Sequence, residues 1–504
     1  MFTAITEDLT VITVVFGLGL LVWGWIRARP YGQLGLLAWL QSVALMVPWL
    51  LVFGLAALGI MLNLAIVLVL LVASSAVYIG LGSRVRSLKQ EQGDARRAAA
   101  IAKNLAADST APTEAKPGEP PASSAPTAGE DSDVVPIPAE DLKAIQGIFG
   151  IETFFATETI PYQEGAIFRG NLRVDPEVAY AKLDERLTAA LGDRYRLFLV
   201  ENQDGKPVII VLPSSRDPQP ATTPQKILAI ILGLFTIATC LESAGLLLGF
   251  DFFYAPDRVA ETIPLAAGVL AILAAHEIGH WVLARRYQVR LGWPFYIPTL
   301  QIGSFGALTR IESVLPNRSV LFDIAFAGPA AGGLLSLGML LTGLLLSHQG
   351  SLFQIPSQFF QGSILVGTLA RVVLRESLQA PIVDVNPLVV LGWLGLVITA
   401  LNLMPAGQLD GGRIVQAIYG RKTASRTTVG TLILLGLASL VNPLALYWAI
   451  LILFLQRDLE RPSLNELTEP DDARAALGLL ALFLMVVTLL PLTPSLAGRL
   501  GIGM

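Results

Sequence analysis

The chain has 504 residues, of which 53% are hydrophobic and 15% charged, with a formal net charge of −4 and a mean hydropathy of +0.62. That composition is too apolar for a soluble enzyme of this size and fits a polytopic helical membrane protein; the slightly negative charge argues against a nucleic-acid binder. One cysteine, Cys240, excludes an internal disulfide and a sulfur-rich metal set.

The amino-terminal segment places Glu7 and Asp8 before its first apolar run, residues 11–26, and Arg27 and Arg29 after it. A cleavable signal peptide carries positive charge first, and a plastid transit peptide is rich in Arg and Ser and poor in acids. The pattern predicts a retained span with its amino end outside. It points to a bacterial membrane rather than a plastid one. Residues 34–81 predict two further passes broken near 54–59, followed by Arg84, Arg86 and Lys89. By the positive-inside rule both basic flanks are cytoplasmic. Residues 84–103 read as a solvated helix on the membrane surface. Residues 104–138, rich in Pro, Ala, Ser and Thr, read as a disordered tether.

A small cytoplasmic α+β domain follows. EDLKAIQGIF predicts a short helix and the stretch after Pro176 an amphipathic one. YRLFLVEN and KPVIIVLP predict strands joined by the turn residues Asn202 to Gly205. Gly170–Arg173 reads as a turn entering a helix. Membrane spans resume at 226–250, 262–283, 320–347, 387–404 and 475–490. Residues 428–456 carry Asn442-Pro443 at their middle and read as one kinked span or a hairpin. Between 290 and 318, Pro294, Pro298, Gly303 and Gly306 prevent a regular span.

The expected division is 1–83 (amino-terminal spans), 84–138 (basic segment and linker), 139–222 (soluble domain), 223–460 (membrane core) and 461–504 (carboxy-terminal loop and span). The expected fold class is an all-α polytopic membrane protein of about eight to ten transmembrane helices, with a re-entrant β-hairpin and a small soluble α+β domain.

His276-Glu277-Ile278-Gly279-His280 lies inside the 262–283 span and uses two of the chain's three histidines. Histidines four apart share a helix face, so both imidazoles reach one zinc ion. The glutamate between them reaches a water on that ion as general base. Ionisable groups in lipid are costly and mark function. The remaining histidine, His348, ends a long apolar run on the opposite side and reads as interfacial.

A catalytic zinc takes three protein ligands and keeps a fourth position open. Asp410, at the cytoplasmic end of the 387–404 span, comes to the depth of the histidines and supplies the third. Asp323 starts a span on the same side and competes. Asp410 is favoured because Pro405, Gly407, Gly411 and Gly412 break the helix and free its carboxylate to turn inward. Asn402 either holds the substrate backbone or oxyanion, or hydrogen-bonds a neighbouring helix. Residues 295–311 have the β-branched and glycine content of a re-entrant hairpin. There Gly303, Ser304, Phe305 and Gly306 either hold an unwound substrate strand by main-chain pairing or form a gate that touches no substrate.

These residues resemble the site-2 protease family of intramembrane zinc metalloproteases. The resemblance rests on His276-Glu277-x-x-His280, Ala327-Gly328-Pro329 and Asn402-x-x-Pro405-x-x-x-Leu409-Asp410-Gly411, and covers about 224–457. It implies one zinc per chain on His276, His280 and Asp410, and Glu277 as catalytic acid/base. The implied substrates are transmembrane proteins cut near the cytoplasmic face, with lipid as the surrounding partner. Gly170-Asn171-Leu172-Arg173 and Gly303-Ser304-Phe305-Gly306 further resemble the EGY (ethylene-dependent gravitropism-deficient and yellow-green) branch of plastids and cyanobacteria. Three passes before the tether and the lack of a PDZ-like segment depart from the usual core. The alternatives are a proteolytically silent scaffold that keeps the fold, and a transporter.

Overall fold

The computed structural model describes residues 19, 21–57, 67, 70, 73–74, 77–78, 80–82, 84–85 and 137–502, other than 163, 203 and 457. Most of the first apolar run, much of the third pass, residues 86–103 of the surface helix and the tether up to 136 lie outside them. The described residues fall into two compact units, one within Met1–Asp131 and Ile433–Leu451, the other within Ser132–Leu432 and Ile452–Met504. In the first, α1 (Gly32–Ala57) is apolar enough over Gly32–Val52 to cross a membrane.

In the second unit the part that carries the four-stranded sheet comprises α2 (Ala139–Gly147), β1 (Phe154–Tyr162), β2 (Gly165–Leu172), α3 (Pro176–Leu191), β3 (Tyr195–Glu201) and β4 (Pro207–Pro213). The strands form one antiparallel sheet in the order β1-β2-β4-β3. Helix α3 starts where Asp175 accepts the Glu177 N–H at 3.0 Å and Pro176 sets the first helical φ. Its Ala179, Leu183, Leu187 and Leu191, spaced by four, make one buried stripe. With Phe154, Phe168, Leu197 and Ile209 that stripe forms a closed core. Gly170–Leu172 is part of β2, paired with Phe154–Ala156, and not a turn into a helix. The apolar alternation that marks β3 and β4 is missing from β1, an edge strand carrying Thr157, Glu158 and Thr159.

The apolar part comprises α4 (Thr223–Leu247), α5 (Val259–Arg286), β5 (Phe295–Thr299), β6 (Gly303–Leu308), α6 (Arg318–Leu346), β7 (Phe353–Pro356), α7 (Ile364–Leu374), β8 (Ile382–Val385) and α8 (Pro387–Asn402). After these come α9 (Asp410–Ala438), α10 (Asp472–Leu489) and α11 (Pro494–Leu500). Among the described residues five helices are long and apolar enough to cross a membrane: α1, α4, α5, α6 and α10. The chain is thus mostly helical with small β-sheets. Two helices, Asp410–Ala438 and Pro443–Leu451, meet at the Asn442-Pro443 break in the 428–456 stretch expected to be a kinked span or a hairpin; the first bends at Gly420, where φ is 79°.

Helix α8 has only 16 residues, short for a span, and is buried on nearly every side against α5, α6 and α10. Its contact with α6 depends on small residues: a Cβ at Gly392 would stand 2.3 Å from Leu340 N. The chain between α5 and α6 avoids helix, as its prolines and glycines require, and forms the β5–β6 hairpin. That hairpin packs on α4, α5 and α8.

Candidate metal centre

Helix α5 carries His276, Glu277 and His280. Both imidazoles are buried, and their Nε2 atoms lie 3.1 Å apart. Asp410 reaches them from another part of the chain. Helix α8 ends at Asn402, the chain turns through Pro405 and Gly407 (φ 51°), and α9 begins at Asp410 itself. The turn closes so tightly that a Cβ at Gly411 would lie 1.9 Å from Leu403 O, which makes glycine obligatory. Asp410 Oδ2 stands 3.1 Å from His276 Nε2 and 3.4 Å from His280 Nε2. Zinc–ligand bonds of about 2.05 Å in a tetrahedron give ligand–ligand edges of about 3.3 Å. Two imidazole nitrogens and one carboxylate oxygen at these separations suit a zinc ion.

The surroundings prepare those atoms. His280 Nδ1 donates to Ile324 O at 2.7 Å, so its proton is on Nδ1 and the Nε2 lone pair is free for a metal. Gly328 on α6 leaves room for the same ring, since a Cβ there would fall 2.2 Å from His280 Nε2. The Ala327-Gly328-Pro329 stretch therefore serves the site by what it lacks. Glu277 is half-buried, and its Oε2 accepts the Thr309 hydroxyl at 2.6 Å. Its carboxylate stays within 4.8 Å of both imidazoles, farther out than Asp410. A cavity of about 20 Å³ bordered by Thr309, Gln408 and Asp410 is large enough for one water.

Asn402 is buried and donates to Ile398 O at 3.0 Å and Phe305 O at 3.4 Å, tying α8 to the hairpin. Gly306 (φ 110°) makes room for that amide; a Cβ there would come within 2.5 Å of it. Gly303 O accepts from Thr239 on α4 at 2.6 Å, and Ser304 Oγ donates to Ile297 O at 3.0 Å. All four residues from Gly303 to Gly306 are buried, and Gly306 borders a small cavity with His276 and Glu277. His348 is exposed and bonded to Gln349 O, apart from it. Asp323 is not brought in either: Arg474 holds both its oxygens at 2.7 and 2.8 Å, and Tyr287 donates to it.

Sequence reasoning missed Thr309, Gly328's part and Arg413. Arg413 reads from the sequence as a cytoplasmic flank, yet it is buried and paired with Glu460 at 3.0 Å. The one available signal was its place three residues after Asp410, one helical turn away.

A model described as Peptidase family M50 matches residues 264–442, and one described as EGY3 middle domain matches 143–220. The chain is 39% identical over 403 residues to "Probable zinc metalloprotease EGY1, chloroplastic" of Arabidopsis thaliana, covering 72% of this chain and 73% of that protein. It is 39% identical over 367 residues to the corresponding EGY2 protein of the same plant, covering 71% and 66%. With "Probable zinc metallopeptidase EGY3, chloroplastic", also of Arabidopsis thaliana, identity is 34% over 379 residues, covering 70% and 66%. No solved structure matches. The metal-ready cluster, the M50 match and these relatives together establish that the chain belongs to the site-2 protease (M50) family of zinc metalloproteases, in its EGY-like branch.

Proposed function

We propose that this zinc protease cleaves peptide bonds in or near transmembrane segments of membrane-protein substrates. The observation that carries the reading is the meeting of His276 and His280, on the apolar helix α5, with Asp410 at the start of α9, and with Glu277 beside them. His276, His280 and Asp410 would hold one zinc per chain. Bound there, it would supply Lewis-acid polarisation of the scissile carbonyl and a lowered pKa for water. Glu277 takes the proton of the attacking water and returns it to the leaving amine. Thr309 fixes the direction of the Glu277 carboxylate through Oε2.

The β5–β6 segment enters the bilayer as a re-entrant hairpin, and Gly303, Ser304, Phe305, Gly306 and Asn402 line the path of the unwound substrate. Asn402 would act there by fixing the hairpin, since its amide bonds a hairpin carbonyl. Eight to ten passes is our reading of the topology; five long apolar helices and the shorter Pro387–Asn402 and Leu444–Phe454 support it. Transmembrane proteins and lipid are then the partners, with no nucleic acid. The chloroplastic names of the relatives favour a plastid membrane over the bacterial one that the amino-terminal charges suggest.

The test is a tagged single-span reporter in lipid vesicles with the full-length protein. A fragment that disappears with chelator and returns with zinc is the expected result. No fragment despite a full complement of zinc would favour the silent scaffold.

A further inference from the structure

Arg413 lies in the first turn of α9, three residues beyond Asp410, and is buried. Its Nε and Nη2 approach Glu460 Oε2 at 3.0 and 2.9 Å. Nη2 also donates to Thr309 O at 2.9 Å, and Nη1 lies 3.9 Å from Asp410 Oδ1, the oxygen turned away from the imidazoles. The Thr309 hydroxyl donates a hydrogen bond to Glu277 Oε2 at 2.6 Å. One guanidinium therefore bears on both carboxylates of the site, on Asp410 directly and on Glu277 through one residue.

Glu460 is itself fixed. Its carbonyl accepts from Gln416 Nε2 at 3.1 Å and from Arg421, and its Oε1 accepts from Arg461 N at 3.2 Å. The chain beyond it forms a strap. On one side Leu199 N donates to Leu464 O at 2.8 Å and Glu466 N to Leu199 O at 3.0 Å, covering the β3 edge. On the other, Leu464 N donates to Leu315 O at 2.8 Å and Asn465 N to Pro316 O at 3.0 Å, just before α6. Leu467 packs against the soluble domain's core. A buried ion pair is seldom more stabilising than an apolar pair of the same shape. Orientation is the better reason for one placed here.

We propose that Arg413 and Glu460 are positioning residues that set the Asp410 carboxylate and Thr309, and that the strap after Glu460 makes this setting depend on docking of the soluble domain. The proposal rests on the reading of Asp410 as a zinc ligand and Glu277 as the base.

Full-length protein in detergent is read by zinc competition with a colorimetric chelator and by amide hydrogen exchange. Glu460→Gln should hold zinc roughly ten- to a hundredfold more weakly, the usual effect of losing a partner behind a ligand. Amides of Leu199, Leu464 and Glu466 should then exchange faster. The double variant Arg413→Met/Glu460→Leu removes both buried charges, so it should fold while zinc stays weak. Wild-type zinc affinity in either folded variant would assign the pair to stability alone and overturn the proposal. Weakened zinc with unchanged exchange at the three amides would overturn the link to the soluble domain. Failure of the underlying reading looks different: no zinc in wild type, or full zinc in Asp410→Ala.

Discussion

Glu277 and Asp410 are both carboxylates, yet their surroundings suit them to different work. Asp410 is buried between two imidazoles at the first residue of α9, where the helix dipole favours a negative charge. Glu277 is half-buried, farther from the imidazoles, and held by one hydroxyl. Glu277→Ala should therefore keep zinc while cleavage of a co-expressed reporter falls by about 10²–10⁴. Asp410→Ala should lose both, and Asp323→Asn should lose neither, since Arg474 and Tyr287 occupy that side chain. Metal analysis beside reporter cleavage separates the three; full zinc in Asp410→Ala would move the third ligand elsewhere. Gly328→Ala is a steric test of the same centre. Its new methyl would collide with the His280 ring, so zinc affinity should fall about tenfold or more. Gly338→Ala, farther along the helix with open space around it, should leave affinity unchanged.

At the scale of elements, the β5–β6 hairpin is pinned from three directions: by Thr239 on α4, by Asn402 on α8, and by Arg413 on α9 just past its end. Thr309 follows β6 directly, so hairpin position and the aim of Glu277 are one mechanical unit. Thr309→Val keeps shape and removes the donor; kcat should fall about tenfold with zinc unchanged. Equal kcat in wild type and variant would show that Glu277 needs no such guide. Long apolar runs made α4, α5, α6 and α10 legible in the sequence, and four-residue spacing made the histidine pair legible. Asp410 could be placed because prolines and glycines announce where α8 must end. Other parts left no such trace. β1 hides its strand character on a polar edge, and α7 with the β7–β8 pair is too short to show periodicity. Arg413 and Glu460 meet across 47 residues of chain, a distance that no local pattern encodes.

The molecule's apolar interior is divided. Phe154, Phe168, Leu183, Leu197 and Ile209 enclose one core beneath the four-stranded sheet; α5, α6 and α8 draw on other clusters that share none of these side chains. Leu467 is the exception, because it enters that core from the segment just before α10. Damage to that core should thus spread along the strap but spare the helices. Phe168 is fully enclosed, so Phe168→Ala should cost about 3–5 kcal/mol of local stability. Hydrogen exchange on the full-length protein should then show faster exchange in β2, β4 and at Leu464 and Glu466, whose amides bond Leu315 and Leu199. Amides of α5 and α8 should exchange as in wild type. If Leu464 and Glu466 kept their protection while β2 and β4 lost theirs, the strap would belong to the membrane core alone and the soluble domain would hang on it passively. Loss in both places makes the strap a shared element, through which the state of the soluble sheet reaches the residues around Asp410.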